Sequence, residues 1–194
     1  PKIINSNKNN FEYQIDTNWF KYFKKLGFNL ELIDTLNFNS KKKMDLVIFS
    51  GGNDLFKKSK KKENFIRDFN EKKILKHCLK NNIKILGICR GFQLIADFFN
   101  CKVSNIDNHV RKNHNLILNN NSYFTKEKFF KVNSFHNYGL IKLTKDFNII
   151  SWHSDKSIEI AEHKNKKILC FMFHPERKNL SQKLINNYII NFMK

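Results

Sequence analysis

Apolar and polar positions along the chain switch between a helical spacing and short continuous apolar runs, the patterns expected of amphipathic helices and of strands buried on both faces. Ile15, Trp19, Phe20, Phe23 and Leu26 recur at helical spacing through residues 14–26, and Gly27 follows as a C-terminal stop. Residues 28–33 predict a strand. Asp45 to Phe49 is a compact apolar run ending in Ser50-Gly51-Gly52-Asn53-Asp54, which predicts a buried strand entering a tight turn. A long amphipathic helix is predicted over 63–81, a second buried strand over Ile83 to Ile88, and a helix with an apolar face over Gly91 to Phe99. Strands at 157–162 and 167–173, forming a hairpin through Lys164-Asn165-Lys166, and a helix over 180–193 complete the pattern. Between 100 and 150 the signal is weak and predicts short strands and loops. Strands alternating with helices imply an α/β fold: a doubly wound, mostly parallel sheet with helices on both faces. Ligand sites in such sheets lie at the carboxyl ends of strands, where Gly52, Cys89 and His174 all fall.

The length of 194 residues suits one domain over 1–194, and no internal repeat or Pro/Gly/Ser linker divides it. Apolar residues make up 41% and Phe alone numbers 20, enough to fill a core. No apolar run is long enough to span a membrane, and Pro1-Lys2-Ile3-Ile4-Asn5 is too short and polar for a signal peptide. The four cysteines show no CxxC spacing and three lie in apolar stretches, which reads as reduced thiols in a cytoplasmic protein. The formal charge of +19 raises a nucleic-acid reading, yet only Arg67, Arg90, Arg111 and Arg177 among the 36 basic residues are arginine. Base readout and phosphate forks favour Arg over Lys. The Lys, Asn, Ile and Phe excess reads as compositional drift, so Lys41 to Lys43 and Lys57 to Lys62 are expected as solvated loops rather than binding tracts. A positive surface still favours a small anionic substrate.

The predicted strand Ile83 to Ile88 runs through Gly87-Ile88-Cys89-Arg90-Gly91 directly into a helix, the arrangement of a nucleophile elbow. Flanking glycines leave room for a sharp turn that lifts Cys89 clear of the sheet, and the helix N-terminus favours its thiolate. The Arg90 N–H is then a natural oxyanion donor. A buried cysteine between two packing glycines is the competing reading; the strand-end position favours the elbow. His174-Pro175-Glu176 follows the apolar run Ile168 to Phe173, and residues two apart in extended chain share a side, so imidazole and carboxylate become neighbours. Such a pair supplies an oriented base, although an isolated His-Pro is more often a surface turn. Gly51-Gly52 at a strand end offers backbone N–H groups to a ligand, with Gly52 as a second oxyanion donor.

Together these residues resemble the class I glutamine amidotransferase-like fold, a flavodoxin-like architecture, and especially its free-standing γ-glutamyl hydrolase branch (peptidase C26 type). Gly87 to Gly91 with Gln93, His174-Pro175-Glu176 and the Gly51-Gly52 strand end carry the resemblance. Val132-Asn133-Ser134-Phe135-His136 is similar to the segment by which that branch holds the glutamyl head, and Asp16 with Trp19 matches an acidic-aromatic pattern. The likeness runs from about residue 12 to 180. It implies a Cys89–His174–Glu176 triad, a glutamyl-thioester intermediate and hydrolysis of a γ-glutamyl amide. It also implies substrate contacts from Asn53, Gln93, Asn133, Ser134, Phe135 and His136, and no metal or organic cofactor; Arg177 is expected at the substrate through its charge, facing an anionic leaving group. A homodimer is compatible with it. The chain departs from the pattern at Met172, where many relatives carry Gln, at Arg177, and in an Asn/Lys-rich stretch over 100–125 that looks shortened; its amino-terminal strand looks clipped. These differences concern the substrate side. A γ-glutamyl-CDP-amidate of capsule phosphoramidate biosynthesis is the narrower substrate candidate. A glutaminase subunit feeding ammonia to a synthase, and a basic nucleic-acid-binding module, are the alternatives.

Overall fold

The computed structural model describes residues 2–7, 10–119 and 130–194. The chain opens with a hairpin of β1 (Lys2–Asn7) and β2 (Asn10–Gln14), followed by α1 (Asn18–Lys25) and β3 (Leu46–Phe49). A short α2 (Phe56–Ser59) leads into the long α3 (Lys62–Lys80), then β4 (Lys84–Ile88) and α4 (Arg90–Phe98). Next come β5 (Val103–Asn105), β6 (Val110–Leu118), β7 (Phe130–Phe135) and β8 (Tyr138–Leu140). The chain closes with β9 (Phe147–Trp152), β10 (Ile158–His163), β11 (Ile168–Phe171) and α5 (Gln182–Met193).

A seven-stranded sheet runs in the order β3-β4-β11-β10-β9-β6-β7. Its helices lie on both faces, as the apolar pattern predicts. The parallel part is narrower than expected: β3 with β4 and β4 with β11 are parallel, and the remaining neighbours are antiparallel. The reason is connection length. A parallel return needs a crossover of about a dozen residues or more, which α3 provides between β3 and β4. The tight turn after His163 reverses the chain instead, so β10 and β11 form the antiparallel hairpin that the sequence predicts.

The side-chain period of two explains why the central strands read as unbroken apolar runs. Ile85, Ile168, Cys170 and Met172 face one core with Ile74, Leu75 and Cys78 of α3 and Phe92 and Ile95 of α4. Leu86, Ile88, Leu169, Phe171 and Phe173 face the other with Trp19 and Phe23 of α1 and Ile185 and Ile189 of α5. Each such fully buried side chain contributes about 1.5–3 kcal/mol.

Two expectations change at the sheet edge. Residues 28–33 form no strand. Phe28 and Leu30 pack on one core and Ile33 on the other, but a cavity of about 520 Å³ separates this extended segment from β3 and denies it a ladder partner. The helix expected from residue 14 begins at Asn18, because residues 10–14 pair with β1. Asp16 marks its start by accepting the Asn18 N–H at 2.9 Å. The Asn/Lys-rich stretch over 100–125 contains β5 and β6; its residues 120–125 lie outside the described residues.

One contact sets the spacing between β3 and α4. A Cβ placed on Gly91 would lie 1.8 Å from the Phe49 carbonyl oxygen, so only glycine lets the first turn of α4 approach the strand. Gly91→Ala should therefore lower stability by about 3 kcal/mol in urea denaturation. Gly27→Ala, at φ +87° with open space around it, should cost only about 1–2 kcal/mol.

Candidate active site

Parallel pairing of β4 with β11 aligns Ile88 with Phe171, so the residues just beyond each strand end become neighbours. Cys89 follows β4 at φ 52° and ψ −107°, a region that strains a residue with a Cβ by about 1–3 kcal/mol. The surrounding structure holds it there. Its N–H donates to the Phe171 carbonyl at 2.7 Å, and its carbonyl accepts the Gln93 N–H at 3.1 Å as α4 begins. The flanking glycines contribute space. A Cβ on Gly87 would meet Ile95 Cδ1 at 2.6 Å and Cys170 Sγ at 2.9 Å, while Gly91 admits Phe49.

His174 stands beyond β11 with its Nδ1 2.7 Å from Glu176 Oε1. A carboxylate accepting from Nδ1–H leaves Nε2 for the sulfur, and a Cβ built on Gly51 would have both His174 Nε2, at 3.3 Å, and Cys89 Cβ, at 3.5 Å, among its neighbours. Gly51 makes room for this ring, since a Cβ there would lie 2.6 Å from His174 Cε1. Asn133 fixes the backbone of the turn, accepting the His174 N–H at 2.9 Å and donating to its carbonyl at 2.8 Å. Asn179 adds a donor to the same carbonyl at 3.0 Å and one to Arg177 at 2.8 Å.

The thiols differ in electrostatics. All four cysteines are free and buried. Burial pushes Cys78 up to about 12 and raises Cys170 as well. Burial would raise Cys89 too, but the His174 charge and hydrogen bond, the His136 charge and the Arg90 N–H outweigh it and lower its pKa. Burial opposes charge on His174, yet the Cys89 thiolate and Glu176 raise it to about 9. Both shifts favour the thiolate–imidazolium form of the pair.

A buried ionic cluster supports this arrangement. Arg90 ion-pairs with Glu71 and Asp68, and Arg67 donates to Glu71 at 2.8 Å. Arg67 also donates to the carbonyls of Ser50 and Gly51 at 2.9 and 3.1 Å. The loop after β3 is thus tied to the residue that follows Cys89.

The structure brings Cys89, His174, Glu176 and the Gly51-Gly52 loop together, with Gly52 at φ +122°. A cleft of about 500 Å³ opens beside His174, Glu176 and this loop, lined by Lys2, Asp16, Trp19, Gly52 and Arg177 among others; the buried Cys89 is not part of its lining. Arg177 lies over the Phe135 ring at 4.6 Å, and Phe135 meets His174 edge-on at 6.0 Å. Other residues expected at the substrate are engaged within the protein. Asn53 donates to the Ile3 carbonyl, Gln93 to the Tyr138 carbonyl, and Ser134 to the His109 carbonyl. Asn133 holds the His174 turn, and His136 points to Glu159. These side chains do not line the cleft, because hydrogen bonding within the interior claims their polar groups. Arg67, Asp68, Glu71 and Asn179 escape the sequence reading. The only signal for the first three was charge on the inward face of a predicted amphipathic helix.

α/β proteins that seat a cysteine in a strained strand-to-helix turn, beside a histidine–carboxylate pair, are the class this fold and site define. Within it the Glutamine amidotransferase class-I family matches residues 9–192, and the chain belongs to that family. The chain is 39% identical over 166 residues to a gamma-glutamyl-CDP-amidate hydrolase of Campylobacter jejuni, covering 83% of this chain and 79% of that protein. It is 35% identical over 101 residues to one subunit of a glutamine-hydrolyzing GMP synthase from Methanosphaera stadtmanae, covering 50% of this chain and 54% of that protein. The crystal structure of a glutamine amidotransferase from Thermotoga maritima shares the fold, with a TM-score of 0.66 at 17% identity over 89% of this chain and 74% of that one.

Two outcomes check this geometry. The rate of Cys89 alkylation by iodoacetamide should stay high below pH about 8.5, where an ordinary thiol protonates, and fall only as pH drops through the lowered Cys89 pKa. The imidazolium partner is lost as pH rises through about 9, and His174→Ala should move the alkylation inflection upward. Glu71→Ala should lower stability by about 3–5 kcal/mol in urea denaturation, because it takes the carboxylate from buried Arg67 and leaves Arg90 with Asp68 alone.

Proposed function

We propose that this protein hydrolyses a γ-glutamyl amide through a thioester on Cys89. The observation that carries the reading is the His174–Glu176 pair at 2.7 Å set beside Cys89, with the thiol pKa lowered at that cysteine by the His174 charge. The Cys89 thiolate attacks the γ-carbonyl carbon, and the oxyanion is received by the N–H groups of Gly52 and Arg90. His174 then gives its proton to the departing nitrogen, the C–N bond breaks, and the glutamyl thioester forms. His174 next takes a proton from water, hydroxide adds to the thioester, and collapse releases glutamate and restores the thiolate. Glu176 keeps the imidazole oriented and supports its charge.

The substrate we favour is a γ-glutamyl-CDP-amidate, which would place the protein in capsule phosphoramidate biosynthesis. Identity to the Campylobacter jejuni hydrolase supports this choice. So do Lys2 and Arg177 in the cleft, as cations able to face a diphosphate. A second reading, a glutaminase subunit serving a synthase, has support from the likeness to the Methanosphaera stadtmanae GMP synthase chain.

Glutamate release from glutamine, γ-glutamyl-aminobutyrate, a γ-glutamyl peptide and γ-glutamyl-CDP-amidate decides between them. The highest kcat/KM should fall on the nucleotide amidate. Glutaminase activity that rises only when a synthase partner is added would favour the ammonia-supplying reading instead. Cys89→Ala and His174→Ala should each lower kcat by about 10⁴-fold or more, and Glu176→Gln by less. Substantial turnover by Cys89→Ala would remove the nucleophile assignment.

A further inference from the structure

Behind the Cys89 site, the chain gathers histidines around one buried carboxylate. Glu159 on β10 is fully buried, and neither of its carboxylate oxygens has a hydrogen-bond partner among the described residues. His114 Nδ1 and His136 Nε2 each lie 3.5 Å from Glu159 Oε1, and His109 Nδ1 lies 3.8 Å from it. These separations exceed hydrogen-bond lengths, and all three ring nitrogens are likewise buried without a hydrogen-bond partner among the described residues. His153 stacks on His114 at 4.1 Å.

The other nitrogen of two rings is already committed. His109 Nε2 is 2.6 Å from Asp155 Oδ2, and His136 Nδ1 is 3.1 Å from the Tyr138 carbonyl. A ring nitrogen facing an oxygen acceptor carries the proton, so a neutral His109 ring turns its Nδ1 lone pair toward Glu159, while at His136 Nε2 a metal ion would take the place of a proton. A lone pair facing a buried carboxylate is repelled by it unless a cation lies between them. One imidazolium would balance the Glu159 charge but leave the other ring nitrogens unsatisfied, whereas protonating all three rings would bury two excess positive charges at a large desolvation cost.

We propose that His109, His136 and Glu159, whose ligand atoms lie within 4.8 Å of one another, form a binding site for a divalent transition metal, with zinc the ion that suits it, and that His114, 3.5 Å from the same carboxylate oxygen, closes onto the ion as the fourth ligand. Bonds of about 2.0–2.1 Å to a tetrahedral zinc set ligand atoms about 3.3 Å apart, within a few tenths of an ångström of the separations around Glu159. Asp155 and the Tyr138 carbonyl are the outer hydrogen-bond partners that orient metal-bound imidazoles. Asp155 is in turn fixed by the Ser157 N–H at 2.9 Å and hydroxyl at 2.6 Å. A closed N₃O set of this kind is structural in character: it pins β6, the end of β7 and β10 together next to the cysteine. His136 then serves as a ligand rather than a substrate contact.

The test uses the full chain carrying Cys89→Ser, so that the reactive thiol cannot act as a competing ligand. The protein is dialysed against Zn²⁺, freed of excess metal by gel filtration, and its metal content measured. About one zinc per chain is expected. Zn²⁺ should raise the melting temperature and EDTA should lower it. Co²⁺ in place of Zn²⁺ should give tetrahedral ligand-field bands without thiolate charge-transfer absorption. Glu159→Gln should abolish stoichiometric binding. Asp155→Asn, a change at a half-exposed side chain that leaves the core intact, should weaken binding by about 10–100-fold. Substoichiometric zinc with a melting temperature indifferent to Zn²⁺ and EDTA would overturn the site, as would unchanged stoichiometry in Glu159→Gln or a thiolate band with Co²⁺. These readouts do not depend on turnover.

Discussion

Two arginines lie fully buried at the heart of the structure, and the geometry around Cys89 depends on the carboxylates that neutralise them. Arg90 is the residue after the cysteine, and Arg67 reaches across from α3 to the carbonyls of Ser50 and Gly51. Glu71 bonds both guanidinium groups. Each ion is costly to take out of water alone, so the cluster holds only as a complete set. Because its members come from the loop after β3, from α3 and from the first turn of α4, the set fixes the distance between the Gly51-Gly52 loop and the elbow. Burial alone would raise the Glu71 carboxyl, but the two arginine charges pull it below its ordinary value. The bond is therefore present through the neutral range and lost only as pH falls through that lowered pKa.

Against this rigid frame, the Cys89 sulfur differs from those of Cys78 and Cys170. Cys78 and Cys170 are buried among apolar side chains, where a thiolate has nothing to stabilise it. Cys89 is buried as well, but imidazole groups and a helix N-terminus surround it. Strain at its positive φ and a lowered pKa fall on the same residue. The energy that holds that strain comes from the backbone bonds to Phe171 and Gln93 and from the glycines on either side.

Much of this was legible in the chain. The alternation of Ile85, Leu86 and Ile88 and of Leu169, Cys170 and Phe171 marked strands covered on both faces, and both lie in the parallel centre of the sheet. The elbow showed in Gly87 to Gly91 because close packing leaves no substitute for glycine there. The strand expected at 28–33 failed for a reason the pattern does not contain. Phe28, Leu30 and Ile33 pack on the cores while Asn29, Glu31 and Leu32 face outward, but a ladder needs a partner within reach and a cavity intervenes. The side chains of Asn53, Gln93, Asn133 and Ser134 were likewise legible as polar groups near the site. Their hydrogen bonds are made to carbonyls 25 to 50 residues away, and no local spacing announces those.

The sequence by itself determined the local matters: which segments bury two faces, where the chain must turn sharply, and that His174 and Glu176 share a side. Each of these follows from residue type and short-range geometry. Only the tertiary structure decided that Arg67 and Glu71, on the inward face of α3, brace the elbow. It alone gathered His109, His114, His136 and Glu159 around a single carboxylate oxygen. Those groups are separated in the chain, and what makes them interact is burial, which removes the water that would otherwise have satisfied each of them alone.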